Sequence, residues 1–114
     1  MRYCLFVNDS AKPYEDDGFG GDYVGGIDMM GLGRWVFSDN VFVGIRGRRG
    51  GGRGAIFLWW GSDETIVERN VIVDCDRGIC FGNPSGQGPH MMRDVVRNSF
   101  VTGGADIASE LSDH

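Results

Sequence analysis

Residues 46 to 60, RGRRGGGRGAIFLWW, gather the side chains of greatest chemical reach in the chain: four arginines in a glycine run, then Phe57, Trp59 and Trp60. Arginine presents a planar fork that pairs with carboxylate or phosphate in two hydrogen bonds and stays charged at all working pH values. Aromatic rings supply flat apolar faces, with an N–H at the edge of tryptophan. Elsewhere, His90 is the one histidine away from the C-terminal residue, and its ordinary pKa suits it to take a proton near neutrality. Asp28 offers carboxylate oxygens to a hydroxyl or a calcium ion, and the acidic run YEDDG at 14–18 offers more.

Each of these has a plainer alternative. Arg48, Arg49 and Arg53 fit a solvated loop, His90 a surface loop, and 14–18 a solvated turn without the ligand periodicity of a calcium site. Phe57 and Trp59 fit burial under a neighbouring loop as well as they fit ligand stacking, and Trp35 fits packing at a turn. The arginine-glycine stretch on its own has the composition of an RNA-binding tail. A net charge of -5 and a pI near 4.8 argue against that, because a polyanion partner needs a dominant basic surface. No nucleic-acid partner is expected.

Three cysteines, Cys4, Cys75 and Cys80, have neither metal-ligand spacing nor an even count, so the sequence predicts thiols inert in a core or turn. No metal site and no cofactor is assigned, with calcium the one ion the acidic residues could take. No apolar run is long enough to span a membrane, and the first residues lack the layout of a signal peptide. The 20 glycines among 114 residues exceed ordinary usage more than twofold and call for an architectural cause.

That cause is a repeat. Apolar alternations recur as CLFVN, GIDMM, AIFLW, GICFG and DIASE, while an asparagine flanked by apolar residues recurs in VFSDNVFV, IVERNVIV and VVRNSFV. All are strand-like, and no window gives an amphipathic helix of useful length. Asn70 to Ile79 and Asn98 to Ile107 are both 9 residues, whereas Asn40 to Ile56 is 16. The surplus of 7 is GRRGGGR, residues 47–53. A second surplus, between Ile79 and Asn98, falls on PSGQGPH, residues 84–90. Removing both leaves a unit of 22 to 23 residues, too short to bury its own apolar face, which must therefore stack on copies of itself. Stacking at the strand spacing of about 4.8 Å would let Asn40, Asn70 and Asn98 form one ladder of side-chain amides.

With RWVFSDNVFVGIRG, ETIVERNVIVDCDRGICFGN and DVVRNSFVTGGADI, residues 24 to 110 resemble the right-handed parallel β-helix repeat proteins of the pectin-lyase-like superfamily. The fold expected is all-β: a right-handed single-stranded parallel β-helix, or solenoid, of about four to five coils with little or no helix. Residues 1–114 then form one repeat domain, with an irregular first coil over 1–25, loop insertions at 47–53 and 84–90, and both ends cut within the repeat. Uncapped coil ends imply self-association. The resemblance also implies a secreted or envelope protein, although this chain shows no signal peptide.

Period two sends Leu5 and Val7, Ile27 and Met29, Ile56 and Leu58, Ile79 and Phe81, and Ile107 inward. It sends Phe6, Asp28 and Met30, Phe57 and Trp59, and Cys80 and Gly82 outward, giving an aromatic outer face. The resemblance implies a polysaccharide groove on that face. Phe57, Trp59 and Trp60 would stack on sugar rings, Arg49 and Arg53 would pair with carboxylates, and Asp28 would bind a hydroxyl. Were the groove catalytic, β-elimination at a uronic acid is the concrete form: Arg53 or calcium neutralises the carboxylate and His90, the one base nominated, removes the proton, with Asp28 the remaining catalytic candidate. The alternatives are a non-catalytic structural or adhesion module and a fragment without activity of its own.

Overall fold

The structure is a computed structural model that describes residues 1–10, 23–82 and 91–109. The acidic run at 14–18, the insertion at 84–90 and His90 lie outside the described residues, as do the side chains of 105–109.

The described chain is all-β, without helix, and every strand pairing is parallel. Sheet I holds β2 (Gly25–Met30), β5 (Gly54–Trp59), β9 (Arg77–Phe81) and β13 (Ala105–Ser109), adjacent in that order. Sheet II pairs β6 (Ser62–Asp63) with β10 (Met91–Met92), and a bridge from Gly33 to Asp63 extends it. Sheet III stacks β3 (Val36–Ser38), β7 (Ile66–Glu68) and β11 (Val95–Arg97). Sheet IV stacks β1 (Leu5–Val7), β4 (Val41–Val43), β8 (Val71–Val73) and β12 (Phe100–Thr102). From β5 onward the chain visits sheets I, II, III and IV in turn and then starts again beside itself. Ile56 pairs with Ile79, 23 residues on, without an insertion between them. Ile27 pairs with Ile56 across the arginine loop, 29 residues on.

Strand length follows from how many side chains each sheet sends inward. Strands of sheets III and IV are three residues long and bury mainly the middle one: Phe37 and Val67 in III, Phe42 and Ile72 in IV, all fully enclosed. Sheet I strands are longer and bury two, so Ile27, Ile56 and Ile79 form one column and Met29, Leu58 and Phe81 the next. These are the inward columns the alternation predicts. Each fully enclosed side chain contributes about 1.5–3 kcal/mol.

Single residues with left-handed backbone turn the chain between sheets. Arg34, Glu64 and Arg93 do so between II and III, and Tyr3, Asp39, Arg69 and Asn98 between III and IV, with φ of 52° to 58°. At the exit from sheet IV, Gly44 has φ +71°, and a Cβ there would collide with the Asn8 carbonyl, so only glycine fits.

The ladder forms, with one correction. Asn40 donates its Nδ2 to Asn70 Oδ1 at 3.0 Å, and Asn70 donates its own Nδ2 to the Phe37 carbonyl at 3.0 Å. The third position is Ser99, whose Oγ accepts the Asn70 N–H, while Asn98 sits one residue earlier at the corner with Asp39 and Arg69. At the other end Cys4 takes the place, donating its N–H to Asn40 Oδ1 at 3.0 Å.

That position of Cys4 overturns the reading of CLFVN. It is not a sheet I strand. Leu5, Phe6 and Val7 pair with Val41, Phe42 and Val43 in sheet IV, in regular register. Its facing is reversed as a result: Phe6 packs inward, stacked on Phe42 at 4.6 Å, while Leu5 and Val7 are exposed.

Candidate functional site

The candidate site lies on the outer face of sheet I, where β2 and β5 run side by side with Asp28 opposite Phe57 and Met30 opposite Trp59. Alternation puts Asp28, Met30, Phe57 and Trp59 on this face because Ile27, Met29, Ile56 and Leu58 fill the other. Phe57 and Trp59 rings stack at 5.9 Å, and Trp59 stacks on Trp60 at 6.3 Å, so three rings form a near-parallel row. The row climbs from interior to solvent: Phe57 is fully buried, Trp59 half-buried and Trp60 50% exposed. Trp60 holds left-handed backbone, φ +47°, where the chain leaves the sheet.

Asp28 is the polar anchor. Trp59 donates its indole Nε1–H to Oδ1 at 2.9 Å, and Tyr23 donates its hydroxyl to Oδ2 at 2.7 Å. Ionising Tyr23 would break the bond to Asp28 and set two negative charges together, so the phenol is pushed up to about 12. Both carboxylate oxygens therefore hold a protein donor and keep further lone pairs facing the exposed edge.

The arginine loop divides in two. Its tip, with Arg48 and Arg49, is exposed. Its base is clasped by Asp76, whose Oδ2 accepts the N–H groups of Gly47 at 2.7 Å and Gly52 at 2.9 Å. Arg53 closes the base: its N–H bonds the Val24 carbonyl at 2.8 Å, and its guanidinium carbon lies 4.7 Å above the centre of the Phe57 ring. Phe57 and Arg53 are thus on the expected face but enclosed, and Cys80, also expected outside, is enclosed as well. Burial of an arginine is tolerable here because its flat fork covers an aromatic face.

Of the residues assigned from sequence, the structure brings Asp28, Arg53, Phe57, Trp59 and Trp60 together, and places Arg49 at the exposed loop tip. Trp35 packs at a turn as expected, stacked on Phe37 at 5.8 Å. Two contributors were missed. Tyr23 precedes the strand without a motif to mark it. Asp76 had a readable signal, since it stands one basic unit, 23 residues, after Arg53, and a glycine-rich loop with buried N–H groups needs a nearby acceptor.

A cleft of about 480 Å³ lies at the corner between sheets IV and I, lined by Asn8, Ser10, Arg46, Arg48, Asp74 and Asp76. Arg46 and Asp74 form an ion pair in its wall, and Arg46 Nε also donates to the Asp74 carbonyl. Among the described residues, no group of three or more His, Cys, Asp or Glu side chains converges as a metal site would require, and no helix is long and apolar enough to cross a membrane. No family model, no curated protein and no solved structure matches the chain.

Proposed function

We propose that the chain is a right-handed parallel β-helix of the pectin-lyase-like kind and that it binds a polysaccharide on the outer face of sheet I. The cyclic order of parallel sheets and the 23-residue unit support the architecture. Handedness rests on the general rule that crossovers between parallel strands of one sheet are right-handed in about 98% of cases. A setting outside the cell or in its envelope goes with this reading.

The observation that carries the binding proposal is the Trp59–Asp28 hydrogen bond beside exposed Trp60. It fixes an aromatic ring and a carboxylate acceptor edge to edge, the combination a sugar demands: C–H faces on the ring, hydroxyls to the oxygens. Arg53 braces Phe57 beneath this ledge and is a positioning residue. Arg48 and Arg49, on the exposed loop, are the groups for the carboxylates of an acidic polymer, which makes oligouronates the first ligands to test.

Titration with oligouronates and with neutral oligosaccharides, followed by tryptophan fluorescence, tests the proposal. Trp60→Gly, which keeps the left-handed backbone, is expected to weaken binding at least tenfold. A paired Arg48→Gln, Arg49→Gln variant is expected to weaken oligouronates alone and to remove their salt dependence. Binding unchanged by Trp60→Gly, or none to either class, overturns it. A non-catalytic structural module is the second reading, favoured by the enclosure of Phe57 and Arg53, which gives them a packing role without any ligand.

A further inference from the structure

Among the described residues, the outer face of sheet IV is apolar and has no element laid over it. Its outward positions are Leu5, Val41, Val71 and Phe100 in one row and Val7, Val43, Val73 and Thr102 in the next, in continuous parallel register. Leu5 is 67% exposed, Val7 58%, Val71 38% and Phe100 60%. None of the four strands carries a charged residue. Scattered exposed apolar residues are ordinary on protein surfaces; a contiguous two-row field is not.

We propose that this face pairs with the same face of a second copy of the chain, forming a closed two-fold dimer. Shape is the first reason. Side chains standing on a three-residue-wide sheet make a shallow field, with clefts only at its Val43 and Phe100 margins, which suits another sheet about 10 Å away. Charge is the second. A chain of net charge -5 repels its copies, and sheet IV is a neutral field through which two can approach. Ion pairs stand on both borders: Arg69 holds Asp39 through two bonds of 2.9 Å at one corner, and at the other Arg46 pairs with Asp74 beside the further carboxylates Asp9 and Asp76. Each border thus offers both signs to its counterpart in an isologous pairing.

Area sets the strength. The exposed side chains amount to on the order of 500 Å² per face, short of the roughly 800 Å² per partner of a standard interface, so the dimer is a weak one.

Sedimentation velocity from about 10 µM to about 1 mM tests this, the range in which weak dimers form. The mass should rise from 12.5 kDa to twice that value and stop, because a two-fold contact uses up the face. The double variant Leu5→Lys, Val71→Lys should associate at least tenfold more weakly with its circular dichroism unchanged, while Met30→Lys, on the outer face of sheet I, should dimerise like the parent. If the double variant does not fold, Leu5→Lys alone serves. A parent that stays monomeric at the highest concentration, a dimer indifferent to the variants, or growth past the dimer overturns the proposal. The last of these would mark stacking of strand edges end to end, an open association. Saccharide binding is read separately, so either proposal can fail without the other.

Discussion

The outer faces of sheets I and IV start from the same backbone and end as opposites. Sheet I covers part of its outer face: Phe57 lies under Arg53, Cys80 is enclosed, and Asp28, though exposed like Met30, is pinned by Tyr23 and Trp59. Sheet IV leaves Leu5, Val7, Val71 and Phe100 in solvent, with Val41, Val43 and Val73 half-buried between them. The insertion accounts for part of the contrast. GRRGGGR folds back at the entrance to β5 and lays Arg53 on that sheet, whereas the single corner residue Asp39 or Arg69 leads straight into a sheet IV strand and covers nothing. A parallel stack thus acquires a specialised face where an extra loop enters it, and keeps a generic face where the corners are tight.

The sharpest way to break that contrast is truncation on each side. Phe57→Ala should cost about 3–5 kcal/mol, the range for a buried aromatic, even though Phe57 lies outside the core column. Leu5→Ala should stay within about 0.5 kcal/mol, as surface changes do. Urea unfolding of the two variants at low protein concentration provides the measurement. Similar costs would mean that the two faces are equally covered, and the distinction between them would fall.

Next in size is the ladder along the sheet III–IV corner. Asn70→Ala removes the acceptor of Asn40 Nδ2 and the donor to the Phe37 carbonyl, both enclosed, and should cost about 2–3 kcal/mol, since buried partners left unpaired bear their full desolvation. Asn98→Ala should cost less, because Asn98 is exposed at the corner and Ser99 occupies the ladder. Unfolding midpoints that ranked the pair the other way would restore Asn98 to the column.

Why the sequence was legible on one sheet and not on the other has a physical reason. In sheet I, Ile27 sits between Gly26 and Asp28 and Ile79 follows Gly78, so period two picks out the buried side there, and β5, apolar from Ala55 to Trp59, is read as a copy of the same motif. In sheet IV the strands LFV, VFV and VIV are apolar at every position, so alternation carries no parity. Only the residue that precedes each strand fixes it. That residue is asparagine twice, but Cys4 and Ser99 fill the same place elsewhere, and the neighbouring corner also accepts Asn98 because asparagine tolerates left-handed backbone. The insertion at 47–53 was legible from interval arithmetic, which depends on length alone. The burial of Arg53 was not, because nothing in composition says that a guanidinium will lie on Phe57.

Parity within β1 gives a smaller effect. Phe6 is half-buried against Phe42, so Phe6→Ala should cost about 2 kcal/mol, below the range for a fully enclosed aromatic, while Val7→Ala beside it should be nearly silent. Equal costs in denaturant unfolding would return Leu5 and Val7 to the interior.

The smallest effect lies at the ledge itself and is read by titration rather than unfolding. The Tyr23 hydroxyl donates to Asp28, and its pKa is raised toward 12 first by that hydrogen bond, then by burial and the carboxylate charge. A raised pKa means that the folded state holds this proton more tightly than the unfolded chain, whose tyrosine titrates near 10. The contribution of the bond is therefore complete below pH 10 and disappears as the pH climbs through about 12. Asp28→Asn removes the negative charge and leaves a weaker acceptor, so the phenolate absorbance of Tyr23 should appear at lower pH, moving back toward 10. Trp59 loses the charge-assisted partner of its indole in the same variant, and its emission should shift with it. A Tyr23 titration indifferent to Asp28→Asn would detach the carboxylate from the aromatic row, and sheet I would then differ from sheet IV in its packing alone.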